Sequence, residues 1–414
     1  MNFARLTLVF LVHKPLFTGI TVLLIVVPVA ILNSVMLFDF QAKKYFRRST
    51  ATIDLVLGAK GDRGELARSA LLHYGMYPGN IPVKEARELV RNRVVKLAVP
   101  IIAEDQYRGH TIVGSNLNYP ALFDASLFKG ELWKENMDVV LGYRAAKKTG
   151  LKIGDAFFSD LGLRKSDNLH GAMAFKVTGI FKRNHNALDD IILTSTESLW
   201  LLHGTGTDTA DSGLSRKSPG DYFPFDFPEG EGKELSAVLI QLRSPITSDS
   251  FLSRHNNSSG FQVVSPVAEF SRLYQSVHFS LSALSWFGLS LLIIGLLVLF
   301  VRLYYFVEEK SKDMFLLRTL GGTGMQNTRI MIFQGLIIAD IGGLLGIMLS
   351  HMLIAVAGSY NEVSKVYGTS GLEFYGQEIL LYLAVILLSL IISFFPAWRA
   401  NHLNFWDIAP EPGF

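Results

Sequence analysis

Four stretches of this chain carry no polar face for water to bind. Leu16 to Phe38, Leu273 to Val301 and Ile379 to Trp398 contain no Asp, Glu, Lys or Arg, and Ile330 to Tyr360 contains only Asp340. Crossing the hydrocarbon of a bilayer takes about 20 helical residues, so each stretch is long enough. A soluble core helix keeps a polar stripe, and these keep none. The first run exceeds the roughly 7–15 apolar residues of a signal-peptide core, and no small-x-small cleavage site follows it, so it reads as an uncleaved anchor. The expected fold is an α-helical membrane protein with one span, a large α+β domain, and then three spans.

The boundaries follow from the runs. Transmembrane helices are expected at residues 16–38, 277–301, 330–357 and 379–398. Residues 1–15 form a segment before the first span, 39–276 the large domain, 302–329 and 358–378 short loops, and 399–414 a tail. Loop charge orients them. Five basic residues (Arg302, Lys310, Lys312, Arg318, Arg329) lie between Arg302 and Arg329, against Lys365 alone between Gly358 and Glu378. The positive-inside rule puts the first loop in the cytoplasm, both termini with it, and the large domain outside. Lys43, Lys44, Arg47 and Arg48 argue the other way, but long domains translocate largely regardless of charge.

Composition adds exclusions. The whole chain is 49% hydrophobic and 18% charged, with a mean hydropathy of +0.30, which rules out disorder. A net charge of +3 gives no case for nucleic acid. With no cysteine there is no disulfide scaffold, thiolate metal site or thiol nucleophile. The large domain holds 30 Lys+Arg against 27 Asp+Glu, an ordinary soluble balance.

Within that domain the pattern is α+β. Strands are expected at Thr52–Leu57, Lys96–Ile102, Gln106–Gly114, Asp138–Leu141, Ala174–Phe181, Asp190–Leu193, Leu235–Leu242 and Phe261–Val264. Asp62 with Glu65 is a capping-box pattern for a helix through Tyr74, and Pro82–Arg93 starts with Pro and early acids. Tyr143–Thr149 ends at Gly150, and Ser195 caps a helix to His203. From Val267 a helix runs on into the second span. The long loop 204–234 is rich in Gly, Ser, Pro and acids and carries Tyr222, Phe223, Phe225 and Phe227. These aromatics either anchor a partner or fold back onto the domain.

Catalytic and metal motifs are missing. Gly58 to Gly64 lacks the Lys-Ser/Thr ending of a Walker A loop and reads as a turn. No nucleophile elbow, HExxH or EF-hand loop occurs. His185, Asp189 and Asp190 lie close in sequence, and a turn explains them better than a metal. The expectation is no catalytic residue and no metal. Asp340 in mid-span is the exception that asks for a role. His351 lies eleven residues on, about three turns, on the same face. Gly342 and Gly346 form a small-xxx-small pair suited to close helix contact.

Residues 308–334 combine a charged run (Glu308, Glu309, Lys310, Lys312, Asp313), a short apolar helix from Met314 to Leu320, and a Gly321-Gly322 break. Leu317-Arg318-Thr319-Leu320-Gly321-Gly322 resembles the Leu-Arg-x-Leu-Gly-Ala/Gly motif of the ABC permease family that includes MacB, LolC/LolE and FtsX. The ending Pro396-Ala-Trp-Arg-Ala is similar to that family's tail, and Asp138–Gly142, Thr149–Asp155 and Phe175–Ile180 resemble the MacB-like periplasmic core. The resemblance implies a permease of the mechanotransmission type in a bacterial inner membrane, paired with a second permease copy and bound to a cytoplasmic ABC ATPase dimer. ATP and Mg would sit on that partner, with no cofactor in this chain. The helix after the second span would be the coupling helix, contacting the ATPases through Glu308, Glu309, Lys310, Lys312, Asp313, Leu317, Arg318, Leu320, Gly321 and Gly322. The substrate would be a lipoprotein, peptide or drug handled by the periplasmic domain, with a periplasmic or outer-membrane adaptor as a further partner. The alternatives are an FtsX-like scaffold regulating a cell-wall hydrolase and a membrane-anchored receptor.

Overall fold

The computed structural model describes residues 11–12, 14–160, 173–203, 232–258, 260–311, 323–360 and 367–401. Two compact units divide the chain, one built around residues 42–276 and 361–368, the other from residues 1–41, 277–360 and 369–414. The first helix, α1 (Pro15–Thr50), is longer than its apolar run and continues through the basic residues Lys43 to Arg48.

Residues 42–276 form a mixed sheet. The strands are β1 (Leu55–Ala59), a short β2 (Ile81–Pro82), β3 (Val95–Tyr107), β4 (His110–Ser115), β5 (Leu127–Gly130) and β6 (Asp138–Leu141). After them come β7 (Ala156–Phe157), β8 (Phe175–Phe181), β9 (Ile192–Ser195), β10 (Glu234–Leu235), β11 (Ala237–Leu242) and β12 (Phe261–Val264). Their order is β12-β1-β11-β3-β4-β9-β6-β8-β5, with β7 on β8 and β10 on β2 as a separate pair. Strand β3 joins the two halves. It pairs with β11 from Val95 to Ile101 and with β4 from Ile102 to Tyr107, with a register shift between Ile102 and Asp105. The sequence pattern suggested two strands here, interrupted near Ala103. In fact the chain stays extended and reverses at Arg108-Gly109, both at positive φ (48° and 77°), as a two-residue hairpin turn requires.

Core residues lie on both faces of the sheet. Leu55, Leu57, Ala98, Ile102, Val139 and Leu141 bury on one side, and Val56, Val99, Ile101 and Val140 on the other. A strand covered on both faces reads as a continuous apolar run, as at Leu55–Leu57 and Val139–Leu141. The covers are helices whose caps the sequence announces. Asp62 accepts a hydrogen bond from the Glu65 N–H at 2.6 Å and starts α2 (Arg63–Leu72). The next helix, α3 (Val83–Val90), stops three residues short of its expected end, and α4 (Asn118–Leu122) is a single turn. Helix α5 (Tyr143–Thr149) ends at Gly150, φ 75°, and Ser195 caps α6 (Thr196–Leu202). Helix α7 (Ser248–Ser258), not anticipated from sequence, packs beside β12.

The other unit contains the apolar part of α1 with α8 (Pro266–Glu309), α9 (Gly324–Ser359) and α10 (Gly376–Asn401); all four are long and apolar enough to cross a membrane. Helix α8 buries Leu292, Leu296, Leu299, Leu303 and Val307, a stripe at three- and four-residue spacing that keeps one face inward. It packs with Ile25 and Val29 of α1, Ile338 and Ala339 of α9 and Val385 of α10. Close approach of α1 and α9 depends on glycine. A Cβ on Gly342 would lie 2.8 Å from Ile25 and one on Gly346 would lie 2.7 Å from Val29.

Replacing Gly346 with Leu should therefore force α1 and α9 apart and cost about 1–3 kcal/mol, as overpacking does, with Gly346→Ala intermediate. Thermal unfolding of the full chain in detergent reads the effect; an unchanged melting temperature for Gly346→Leu would refute the contact.

Candidate functional site

Four buried polar side chains of the four-helix unit meet at one place. Asn33 of α1 donates its amide to Ser350 Oγ of α9 at 2.6 Å and to Glu378 Oε2 of α10 at 3.3 Å. His351 Nε2 lies 2.6 Å from the same carboxylate oxygen, and its Nδ1 is 3.0 Å from the Gly371 carbonyl. The other Glu378 oxygen accepts the Tyr375 N–H at 2.8 Å. All four side chains are buried. Buried polar groups are costly unless they are bonded, and here each one's partner comes from another element. Nearby, the Gln41 side chain exchanges two 2.8 Å bonds with the Ser370 backbone, joining α1 to the residues that lead into α10.

Asp340 and His351 thus have separate partners on α10. His351 meets Glu378, while Asp340 accepts a hydrogen bond from the Tyr382 hydroxyl and is half-buried. Neither Glu378 nor Tyr382 was singled out in the sequence. Glu378 sits at the edge of an expected loop and becomes the first-turn acid of α10. Asn33, Ser350 and Glu378 are the functional candidates that sequence reasoning missed. The available signal was a lone Asn inside a charge-free run.

At the opposite end of the bundle the helices carry a charged collar. Lys14 pairs with Glu309 at 2.6 Å, and Arg399 pairs with Glu308 at 3.1 Å while lying over the Tyr304 ring, 4.3 Å from its centroid. These exposed pairs contribute little stability, about 0–1 kcal/mol each. Their effect is positional, tying the ends of α1 and α10 to the end of α8 where residues 308–310 leave it. Of the coupling residues read from sequence, Glu308, Glu309 and Lys310 are here. Lys312, Asp313, Leu317, Arg318, Leu320, Gly321 and Gly322 lie outside the described residues, as do Tyr222, Phe223, Phe225 and Phe227.

The sheet unit has its own polar centre. Arg144 reaches the buried Asp190 carboxylate at 2.5 Å. Burial alone would lower the Arg144 pKa, but Asp190, Tyr45 and Asp189 outweigh it and the net shift is upward. The Asp189 carboxylate accepts the Asn184 and His185 N–H groups at 2.7 and 2.8 Å, and burial still raises its pKa above the usual carboxylate value. The His185–Asp190 stretch is therefore a tight turn, and no three-residue His/Asp/Glu cluster suited to a metal exists among the described residues. A cleft of about 830 Å³ opens beside the β3 register shift, between the His73–Asn80 loop and Glu104–Gln106.

Comparison with known proteins bears on the membrane unit first. Residues 285–405, which take in most of α8, all of α9 and α10 and the residues between α8 and α9, match the family model described as FtsX-like permease C-terminal. The likeness to FtsX-like permeases rests on this region. The buried Ser350–His351–Glu378 group and the Glu308–Arg399 pair lie within it. Two solved structures are similar to the chain. One is the periplasmic region of MacB from Actinobacillus actinomycetemcomitans, at 12% identity over 56% of this chain and 95% of that one, with a TM-score of 0.36. The other is the extracellular domain of the noncanonic ABC-type transporter YknZ from Gram-positive bacteria, at 14% identity over 51% and 99%, with a TM-score of 0.31. No curated protein sequence matches the chain.

Truncating Glu378 to Ala would leave the Tyr375 N–H and His351 without the carboxylate and would cost the Asn33 amide one of its two acceptors. Each orphaned buried donor costs about 1–3 kcal/mol, so the melting temperature in detergent should fall by several degrees. Glu378→Gln keeps an acceptor and should lose less. Equal melting of wild type and Glu378→Ala would remove the cluster's structural role.

Proposed function

We propose that this chain is the permease subunit of an ABC system of the mechanotransmission type. The observation that carries the reading is the FtsX-like permease domain on α8–α10, bracketing a charged loop with the Leu317–Gly322 motif. ATP and Mg belong to a separate cytoplasmic ATPase dimer, since no Walker A loop is found in this sequence. The loop after α8 is the contact for that ATPase, and the collar residues Glu308, Glu309 and Lys310 set where the loop begins. Charge in the loops supports an inner-membrane orientation with both termini in the cytoplasm and the sheet unit in the periplasm. The chain works as one of a pair, with an identical copy as the simplest partner.

In this reading the substrate need not pass between the spans. Helix α8 contributes Phe270 to the core of the sheet unit and its Leu292–Leu303 stripe to the membrane bundle. Helix α8 is one unbroken helix of 44 residues, and in this reading it passes on movement from the ATPase. The sheet unit then acts on a lipoprotein, peptide or drug-like substrate, and the cleft at His73 and Glu104 is a place on it where a ligand or adaptor segment can be held.

Co-purification with the ATPase tests the coupling assignment. Reversing charge at Glu309 and Arg318 together (Glu309→Lys, Arg318→Glu) should release the ATPase while leaving the stability of the permease within about 1 kcal/mol of wild type, because the Lys14–Glu309 pair is exposed. A complex that survives the double reversal intact would place the ATPase contact elsewhere.

A further inference from the structure

The face of α8 opposite its buried stripe is apolar and exposed. Ile294, Leu297, Val301 and Tyr305 recur at three- and four-residue spacing and are each about half or more exposed. Beside them Phe17 of α1 forms the second wall of a groove of about 490 Å³. From Ile294 to Arg302 the groove runs about 12 Å along the helix, close to the depth of one leaflet of a roughly 30 Å hydrocarbon core. A groove of this kind with only apolar walls would be an ordinary lipid-facing surface. This one ends in charge.

Three cations line it, Lys14, Arg302 and Lys310, against one carboxylate, Glu309. Lys14 and Glu309 pair with each other. Arg302 is fixed by neutral oxygens: its guanidinium donates to the Phe17 carbonyl at 3.2 Å, to Thr21 Oγ1 at 3.2 Å and to Thr18 Oγ1 at 2.7 Å. These bonds aim and hold the group without neutralising it, and an ionised side chain at the edge of a span is expensive unless an anion compensates it. The groove thus joins an apolar slot about one leaflet deep to a head end where Arg302 is held by neutral oxygens and keeps its charge. Basic pockets between transmembrane helices on the cytoplasmic side are suited to anionic headgroups.

We propose that the groove between the start of α1 and the end of α8 binds one anionic phospholipid, its acyl chain along Leu297 and Val301 and its phosphate at Arg302. This rests on the orientation given above, which puts this end of the bundle at the cytoplasmic surface. The bound lipid fills the space beside α8 just before the loop that meets the ATPase, so it belongs to the resting structure of the coupling end.

Native mass spectrometry of the full chain, with dioleoyl phosphatidylglycerol or dioleoyl phosphatidylethanolamine added to the detergent, tests it. Wild type should retain one phosphatidylglycerol about ten-fold more strongly than phosphatidylethanolamine. Arg302→Gln should lower that preference about five-fold, as loss of one near-surface cation does, and Glu309→Gln should raise it. Leu297→Trp fills the slot on an exposed face, away from the packed stripe, and should abolish retention of both lipids with an unchanged melting temperature. Equal retention of the two lipids by wild type, or undiminished retention by Leu297→Trp, would overturn the proposal. So would copy-to-copy disulfide formation at Val301→Cys in lipid nanodiscs, which would mean that a second chain fills the groove. Because the readout is lipid retention alone, failure of the ATPase assignment would leave it standing, and failure here would leave that assignment untouched.

Discussion

Hydrocarbon offers no partner to a peptide N–H or C=O, and the membrane unit is built on that fact. Its spans are helices because only a helix satisfies its own backbone within one segment. The same rule then governs the side chains. Small hydroxyls such as Thr21 and Ser290 bond back to their own helix, so the larger polar groups that reach across decide which helices meet. Asn33, Ser350, His351 and Glu378 join α1, α9 and α10 at one end. Arg302, held by the Phe17 carbonyl and the Thr18 and Thr21 hydroxyls, joins α8 to α1 at the other. Between these fixed points the contact is steric: the Leu292–Leu303 stripe packs inward, and Gly342 and Gly346 let α9 come against Ile25 and Val29.

Local signals were legible in the sequence and distant pairings were not. Charge-free runs located all four spans because span length is set by bilayer thickness. Caps located helices in the sheet unit because capping is a matter of residues three apart, as at Asp62 with Glu65 and Ser195 with Ser198. The ends of elements were less legible. Helix α1 runs twelve residues past Phe38, since a helix does not stop where its hydrophobicity does. Strand β3 runs through the point where a break was expected, because a change of partner strand leaves no mark on the chain itself.

The candidate site divides the same way. Asp340 and His351 stood out as rare polar groups in an apolar span, but their partners could not be read because both belong to α10. Glu378 sits two residues into α10, where a sequence reading places it in a loop. The charged run at Glu308–Lys310 was visible as composition, whereas its ties to Lys14 and Arg399 cross 295 and 91 residues. In the sheet unit, the His185–Asp190 stretch resembled a ligand set in one dimension; the folded turn spends the Asp189 oxygens on backbone N–H groups instead.

On the function proposed above, energy from a partner ATPase moves the sheet unit relative to the membrane unit. The absence of native cysteine makes this directly measurable. Spin labels at Ile246→Cys and Leu372→Cys, both highly exposed and one in each unit, allow a pulsed dipolar measurement on the reconstituted permease–ATPase complex. The proposed function predicts different distance distributions between the labels in the ATP-trapped and nucleotide-free states. One and the same distribution in both states, in a complex that still hydrolyses ATP, would contradict it.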